Sequence, residues 1–300
     1  MSWFYLALLA PLLYAIVTLL DDNLLSFVYK SPYLATMFAG FFGAVPLIAL
    51  AFKTPAAMPF SLGSLALLAG FLTVAYYFFY FKGLEADSPS IVIALFSLSP
   101  ATIPFLAYFF VHERLHAMQL VGFLIVLLAS LCLAVTDIKK FKFSKALLPV
   151  AIAVVFMDAV SILTKHVYQH ANFYPAYMYF CAGMGLGGGC FFLLKYEDNQ
   201  KGLHSIRKSI KKLLPVFIAA ELMNLAAEFT LNLAISRGPV SLVKVIEGIQ
   251  PMFVLLIALV LYPLYPKFFR EAEEGQRTKK FALMGMAIIG LGIISKAANI

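Results

Sequence analysis

Charge is scarce in this 300-residue chain. Charged residues make up 13% of the sequence and hydrophobic residues 62%, whereas a typical soluble domain has about 25% charged residues. A soluble protein of this size needs polar side chains to cover its surface, and 23 basic and 15 acidic residues are too few for that. The composition therefore excludes a soluble fold and predicts a polytopic membrane protein.

Motifs for metal binding and for nucleotide hydrolysis are also missing. The three cysteines, Cys132, Cys181 and Cys190, lie inside apolar runs without metal-ligand spacing. His166 and His170 are four residues apart, but no HExxH motif contains them, so we interpret them as a solvated helix end. Because the chain also lacks a GxxxxGK[ST] loop, we expect no metal, no other cofactor, no ATP-driven pumping and no enzymatic activity.

Long apolar runs predict how the chain crosses the membrane. A run such as Leu120–Val135 is continuous, whereas a barrel strand alternates apolar and polar residues over about ten positions. A spanning helix needs about 20 apolar residues. We therefore predict an all-α protein with ten transmembrane helices, near 2–28, 33–52, 62–81, 88–110, 117–135, 147–168, 173–194, 213–235, 239–262 and 280–296.

The distribution of basic residues predicts the orientation. Seventeen of the 23 lie in the odd-numbered loops, five lie in the even-numbered loops and tails, and Lys244 lies within a helix. Cytoplasmic loops retain Lys and Arg, so we expect odd-numbered loops in the cytoplasm, both termini outside, and residence in a bacterial inner membrane. The net charge of +8 then comes mainly from loop Lys and Arg residues, which the anionic cytoplasmic leaflet attracts. Membrane lipid is accordingly an expected partner and nucleic acid is not.

A weak internal repeat predicts two halves, residues 1–137 and 138–300. A shift of 151 residues places Ser90–Pro100 on Ser241–Pro251, with Pro100 falling on Pro251. Five helices per half make the second half enter the membrane from the opposite side. Inverted repeats of this kind build transporters that work by alternating access. A proline inside a helix removes a backbone hydrogen bond, so Pro100 and Pro251 are predicted hinges.

The first half contains motifs that resemble a known family. The stretch Gly83–Thr136 holds a small-residue helix with a central Pro100, a Glu113-Arg114-Leu115 connector and a helix opening on a glycine. It is similar to EamA-type members of the drug/metabolite transporter superfamily. The resemblance implies ten helices, an inverted repeat and a central cavity, but no particular substrate. Two departures are the missing second Glu-Arg-Leu connector and Asp21-Asp22 where relatives often carry Asp-Lys.

The eighth predicted helix carries the densest polar stripe. Glu221, Asn224, Glu228 and Asn232 fall within about 80° of arc at 100° per residue. An ionisable group at membrane depth costs about 2.5–3.5 kcal/mol, which makes each one a functional candidate. The stripe predicts either a cavity lining or a hydrogen-bonded seam between helices.

The ninth predicted helix adds Lys244, Glu247 and Gln250. Lys244 pairs either with Glu247 at i, i+3 or with an acid of the eighth helix, and both alternatives stay open. Asp158, midway along the sixth helix, is a further buried acid.

The first half supplies a different lining. We predict that Tyr76, Tyr77 and Ser97 contribute to the cavity, and that Tyr80, near a helix end, belongs to an interfacial aromatic belt.

These residues together predict a secondary active transporter of a small organic solute, such as an amino acid, an amine or a related metabolite. We expect proton-coupled export by a monomer or homodimer, with the solute and protons as partners, and we predict that Glu228→Gln abolishes transport without preventing folding. The alternatives are a membrane-embedded enzyme, or a lipid or sugar-phosphate translocase using the same acidic cavity.

Overall fold

The structure is a computed structural model that describes residues 2–29, 31–52, 58–87, 89–96, 98–134, 145–261 and 277–297. These residues form helices joined by short connections, with no strand among them. The helices are α1 (Trp3–Leu24), α2 (Pro32–Gly43), α3 (Val45–Ala51), α4 (Phe60–Ala86), α5 (Pro89–Phe96), α6 (Ser99–Phe110), α7 (Ala117–Ala134), α8 (Leu147–His170), α9 (Phe173–Leu194), α10 (Tyr196–Arg237), α11 (Val240–Glu247), α12 (Gln250–Leu261) and α13 (Arg277–Ala297). A π-helical turn, Leu25–Tyr29, continues α1.

Within the described residues, seven helical stretches are long and apolar enough to cross a membrane. They are Trp3–Asp21, Pro32–Ala51, Phe60–Ala86, Leu147–His170, Phe173–Leu194, Leu214–Arg237 and Val240–Ile257. Two further helices, Ala117–Cys132 and Ala282–Ala297, are also apolar but shorter. The prediction of an all-helical polytopic membrane protein is confirmed in this coarser form, while the count of ten stays a prediction.

The distribution of side chains is the reverse of that in a soluble protein. Phe105 and Phe109 are each 69% exposed on the outer surface of α6, whereas Lys244 and Asp158 are buried among the helices. Apolar side chains facing outward suit a hydrocarbon solvent, and charged groups in membrane helices face the bundle interior. The polar residues of this chain therefore meet inside the bundle.

Two pairs of consecutive helices are interrupted in the same way. α5 and α11 are each eight residues long and begin 151 residues apart, as do α6 and α12, which are each 12 residues long. Pro100 and Pro251 are the second residues of α6 and α12, where a proline costs no helical hydrogen bond. The breaks thus come before the prolines, not at them.

Helix packing pairs the two parts of the chain. α1 packs along α10, α8 packs along α4, and α7 packs along α13. α9 approaches α4 so closely that a Cβ added at Gly183 would lie 2.0 Å from the carbonyl oxygen of Leu67. Glycine is needed there because any side chain would collide with backbone.

The eighth predicted segment is longer in the structure than in the sequence prediction. Predicted at 213–235, it is a continuous helix of 42 residues that begins at Tyr196, about 63 Å long at 1.5 Å per residue. The basic stretch before Leu214 adds turns to the spanning helix instead of forming a separate connection.

Two apolar clusters enclose a polar layer. One contains Phe4 and Leu6 at the start of α1 and Ile235 at the end of α10. The other contains Leu24 at the end of α1 and Phe217 in the middle of α10. The polar residues of α1 and α10 lie between these two clusters, and this layer holds the candidate site.

Candidate functional site

A cavity of about 70 Å³ lies in the polar layer between α1, α4, α10 and α11. A buried water needs about 10–15 Å³ in this measure, so the space holds about five waters or a correspondingly small polar group. Its polar lining comprises Tyr14, Thr18, Asp21, Tyr76, Tyr77, Tyr80, Ser99, Glu221, Asn224, Lys244, Glu247 and Gln250.

Glu228 organises one end of the polar layer. One of its oxygens accepts hydrogen bonds from the hydroxyls of Tyr14 at 2.8 Å and Tyr77 at 3.0 Å. Its other oxygen accepts from the amide of Asn232 at 2.8 Å, and Asn232 in turn accepts from the Tyr168 hydroxyl at 2.8 Å. Glu228 therefore binds α10 to α1 and α4 without itself lining the cavity.

Glu221, two turns earlier on α10, lines the cavity and is differently placed. One of its oxygens accepts a hydrogen bond from the Tyr29 hydroxyl at 2.8 Å. The Tyr29 ring packs among Phe38, Phe81 and Phe217, with ring centroids 5.7, 6.4 and 6.0 Å away. These rings form an aromatic wall beside Glu221, and Phe81 of this wall also lines the cavity.

Lys244 and Glu247 form an ion pair on one face of α11. Both line the cavity, and the Lys244 side chain is 99% buried, with 1% exposed. Apart from this ion pair, neither the Lys244 ammonium nor the paired Glu247 oxygen has a hydrogen-bond partner in the described part of the chain. Of the two partners predicted for Lys244, the structure has the local one, Glu247 at i, i+3. The remaining N–H donors of the ammonium are open to a polar ligand.

Asp158 joins α8 to the start of α6. Its two oxygens accept hydrogen bonds from the hydroxyls of Ser99, at 2.5 Å, and Thr102. Ser99 lines the cavity and Asp158 does not. The carboxylate therefore fixes the beginning of α6, next to Pro100.

The start of α11 is held by two charged residues from other elements. The Glu113 carboxylate accepts hydrogen bonds from the backbone N–H groups of Val240 at 2.6 Å and Ser241 at 3.0 Å. Lys165 donates to the carbonyls of Ile235 at 3.1 Å and Gly238 at 2.7 Å. Together they satisfy backbone groups on both sides of the α10–α11 turn and so position the helix that carries Lys244 and Glu247.

Most of the residues singled out in the sequence meet in this region. Those that line the cavity are Tyr76, Tyr77, Glu221, Asn224, Lys244, Glu247, Gln250, Pro100 and Pro251. Those that lie behind the lining are Glu228, Asn232 and Asp158. Ser97 lies outside the described residues. The polar stripe of α10 is thus partly a cavity lining and partly a hydrogen-bonded seam.

The structure also brings in residues that the sequence prediction placed elsewhere or left out. Tyr80, predicted to lie in an interfacial belt, is buried and donates to Asp21 at 3.2 Å inside the cavity. Tyr14 and Thr18 were not predicted as site residues, although Thr18 accepts a hydrogen bond from Gln250 at 3.1 Å. Tyr14, Thr18 and Asp21 are spaced four and three residues apart, so they lie on one face of α1. This polar stripe in the sequence could have predicted that Tyr14 and Thr18 belong to the site.

The histidine pair stays apart from the cavity. The rings of His166 and His170 lie 4.7 Å apart near the end of α8. Within the described residues, no group of three or more His, Cys, Asp or Glu side chains is placed to hold a metal ion.

Comparison with known proteins gives the fold and a family. No curated protein matches the chain. Of the solved structures, 28 chains match, and one crystal structure covers 99% of this chain and 98% of its own with a TM-score of 0.67. At 18% identity that likeness shows the fold alone. The resemblance predicted from the Gly83–Thr136 motifs is confirmed, since residues 1–135 match the EamA-like transporter family of the drug/metabolite transporter superfamily, and this match implies a membrane transporter.

Proposed function

We propose that the protein is a secondary active transporter that exports a small organic solute, an amino acid, amine or related metabolite, in exchange for protons. The observation that carries this proposal is the cavity of the polar layer, in which the Lys244–Glu247 pair and the carboxylates of Glu221 and Asp21 face one small space inside an apolar bundle. A solute with both an amino and a carboxylate group matches a lining that offers both charges.

Alternating access is supported by the matched breaks in the chain. α5–α6 and α11–α12 have equal lengths and a common offset of 151 residues, and both border the cavity. Two inverted halves, residues 1–137 and 138–300, would rock against each other around this space. The ten-helix arrangement and a bacterial inner-membrane location with both termini outside belong to the same proposal.

The first test is a thermal-shift screen of the purified chain against amino acids, polyamines and nucleotide sugars. A ligand that binds only the folded state raises its stability with occupancy, so we expect amino acids or amines to raise the melting temperature. Stabilisation by nucleotide sugars alone would favour a sugar-phosphate translocase instead.

The second test is flux in proteoliposomes. We expect a stabilising amino acid or amine to accumulate in vesicles only when a pH gradient is imposed, and the flux to stop when a protonophore collapses the gradient. Binding without flux at any gradient would contradict a transporter and favour a receptor or an enzyme.

A further inference from the structure

The carboxylates around the cavity differ in the number of hydrogen bonds that they accept from neighbouring side chains. We propose that Glu221 is the group that binds and releases the transported proton, and that Glu228 is a fixed acceptor that holds the tyrosines in place. This inference rests on the proposed proton-coupled function and assigns it to one side chain.

Glu228 accepts hydrogen bonds at both of its oxygens. Tyr14 and Tyr77 donate to one oxygen and Asn232 donates to the other. An ionised carboxylate only accepts, whereas a protonated one must also find an acceptor for its own hydroxyl. Since the three bonded neighbours all act as donors and the side chain is outside the cavity lining, one of these neighbours would have to reorient to accept from a protonated Glu228.

Glu221 has the opposite arrangement. In the part of the chain that the structure describes, Tyr29 is its one hydrogen-bond partner, and it is bonded to a single oxygen. The other oxygen is left for the cavity that Glu221 lines. A proton can therefore move from cavity water to this oxygen without disturbing the Tyr29 bond, and it can return to water by the same route.

The remaining acids are held by partners of their own. Glu247 is paired with Lys244. Both oxygens of Asp158 accept from hydroxyls. Asp21 accepts from Tyr80 and has further interactions.

Several elements around the cavity contribute titratable or charged groups beside Glu221. α1 and its π-helical turn contribute Asp21 and Tyr29, and α11 contributes Lys244 and Glu247. α4 contributes Tyr76, Tyr77 and Tyr80 across the cavity. Asp158 of α8 lies behind Ser99 of the lining, and Tyr177 and Cys181 of α9 are buried outside the lining. α2 contributes Phe38 and Phe42 to the aromatic wall.

The location of Tyr29 strengthens the assignment. Tyr29 closes the π-helical turn Leu25–Tyr29, and single π-helical turns occur frequently at functional sites. The hydroxyl of Tyr29 donates to Glu221 from this turn, two residues before Ser31, the N-cap of α2. The proton site is therefore joined to the π-helical turn at the end of α1.

The proton itself is the probe for the test. We would record infrared spectra of the full chain in lipid while the pH is lowered, following the carbonyl stretch that a carboxylic acid gains on protonation. Because the other acids of the chain gain the same stretch, each variant is read as a wild-type-minus-variant difference spectrum. The expected result is a reversible carbonyl band of one carboxyl group that is lost in Glu221→Gln and kept in Glu228→Gln. Asp21→Asn is the matched control, because Asp21 lines the same cavity and its loss should leave the band in place.

Three outcomes would overturn the assignment: a band that persists in Glu221→Gln, a band that disappears in Glu228→Gln or Asp21→Asn, or no titrating band in the wild type. Melting curves establish that each variant is folded, and Glu221→Asp should restore the band if the glutamine variant is unstable. Solute flux is measured separately, so a wild type that shows proton-driven flux with the band on another residue refutes only the role of Glu221.

Discussion

At the scale of single residues, the Lys244–Glu247 pair offers the sharpest test of the cavity. Lys244→Met leaves the Glu247 carboxylate without its cation inside the bundle, and breaking a buried ion pair costs about 3–5 kcal/mol. We expect a clear fall in melting temperature for the single variant and recovery in Lys244→Met/Glu247→Gln, with amino acid stabilisation lost in both. Equal melting of the single and double variants would mean that the two charges do not interact.

Glu228→Gln tests the fixed acceptor. The amide replaces one accepting oxygen by a donor that faces donors from Tyr14, Tyr77 or Asn232. We therefore expect proteoliposome transport to be abolished while the protein stays folded, because two tyrosines of the cavity wall lose their anchor.

Thr164→Val is the control for Glu228→Gln, since Thr164 is buried but bonds only to carbonyls of its own helix. If Glu228→Gln and Thr164→Val transport equally well at every pH, then Glu228 has no role in the transport mechanism.

At the scale of elements, Glu113 tests how the cavity helix α11 is held. Its carboxylate bonds the first backbone N–H groups of α11, and loss of such a cap costs about 0.5–2 kcal/mol. We expect Glu113→Ala to lower the melting temperature and to weaken amino acid stabilisation, because Lys244 and Glu247 lie on the same helix. Arg114→Gln, at the exposed neighbouring residue, should change neither quantity.

The approach of α9 to α4 gives a second prediction. A Cβ at Gly183 would lie 2.0 Å from the Leu67 carbonyl oxygen, whereas one at Gly189 on the same helix meets nothing within 4 Å. Overpacking of this kind typically costs about 1–3 kcal/mol. We expect Gly183→Ala to lower the melting temperature and Gly189→Ala to leave it unchanged or raise it, and equal effects would contradict the close helix contact.

The sequence predicted elements better than it predicted side-chain partners. The α10 stripe and the paired prolines were visible because helical spacing and a fixed offset are local properties of the chain. Tyr80 was misplaced because its depth depends on where α4 lies relative to Asp21 on α1. Tyr29 lies about 190 positions from Glu221 and Tyr14 about 210 positions from Glu228, and the packing of α1 along α10 brings these pairs together.

At the scale of the whole molecule, the number of crossings decides whether two inverted halves exist. The seven spans and two shorter apolar helices of the described part of the chain would give nine crossings and put the termini on opposite sides of the membrane. Counting the interrupted α5–α6 pair as another crossing gives ten and puts both termini on the same side. We count α5–α6 as a crossing because its helices have the same lengths as those of α11–α12 and begin 151 residues earlier. The pair α11–α12 includes the span Val240–Ile257.

Fusions of reporter proteins test whether the number of crossings is even and whether the loops rich in Lys and Arg are cytoplasmic. Because basic residues are concentrated in the odd-numbered loops, we expect a phosphatase fused at either terminus to be active on the periplasmic side of the membrane. A fluorescent protein that matures only in the cytoplasm should stay dark at both termini, yet fluoresce when fused after Lys145 in a chain truncated there. Termini that report opposite sides would exclude ten crossings, and termini that both fluoresce would keep ten crossings but reverse the orientation of the cavity.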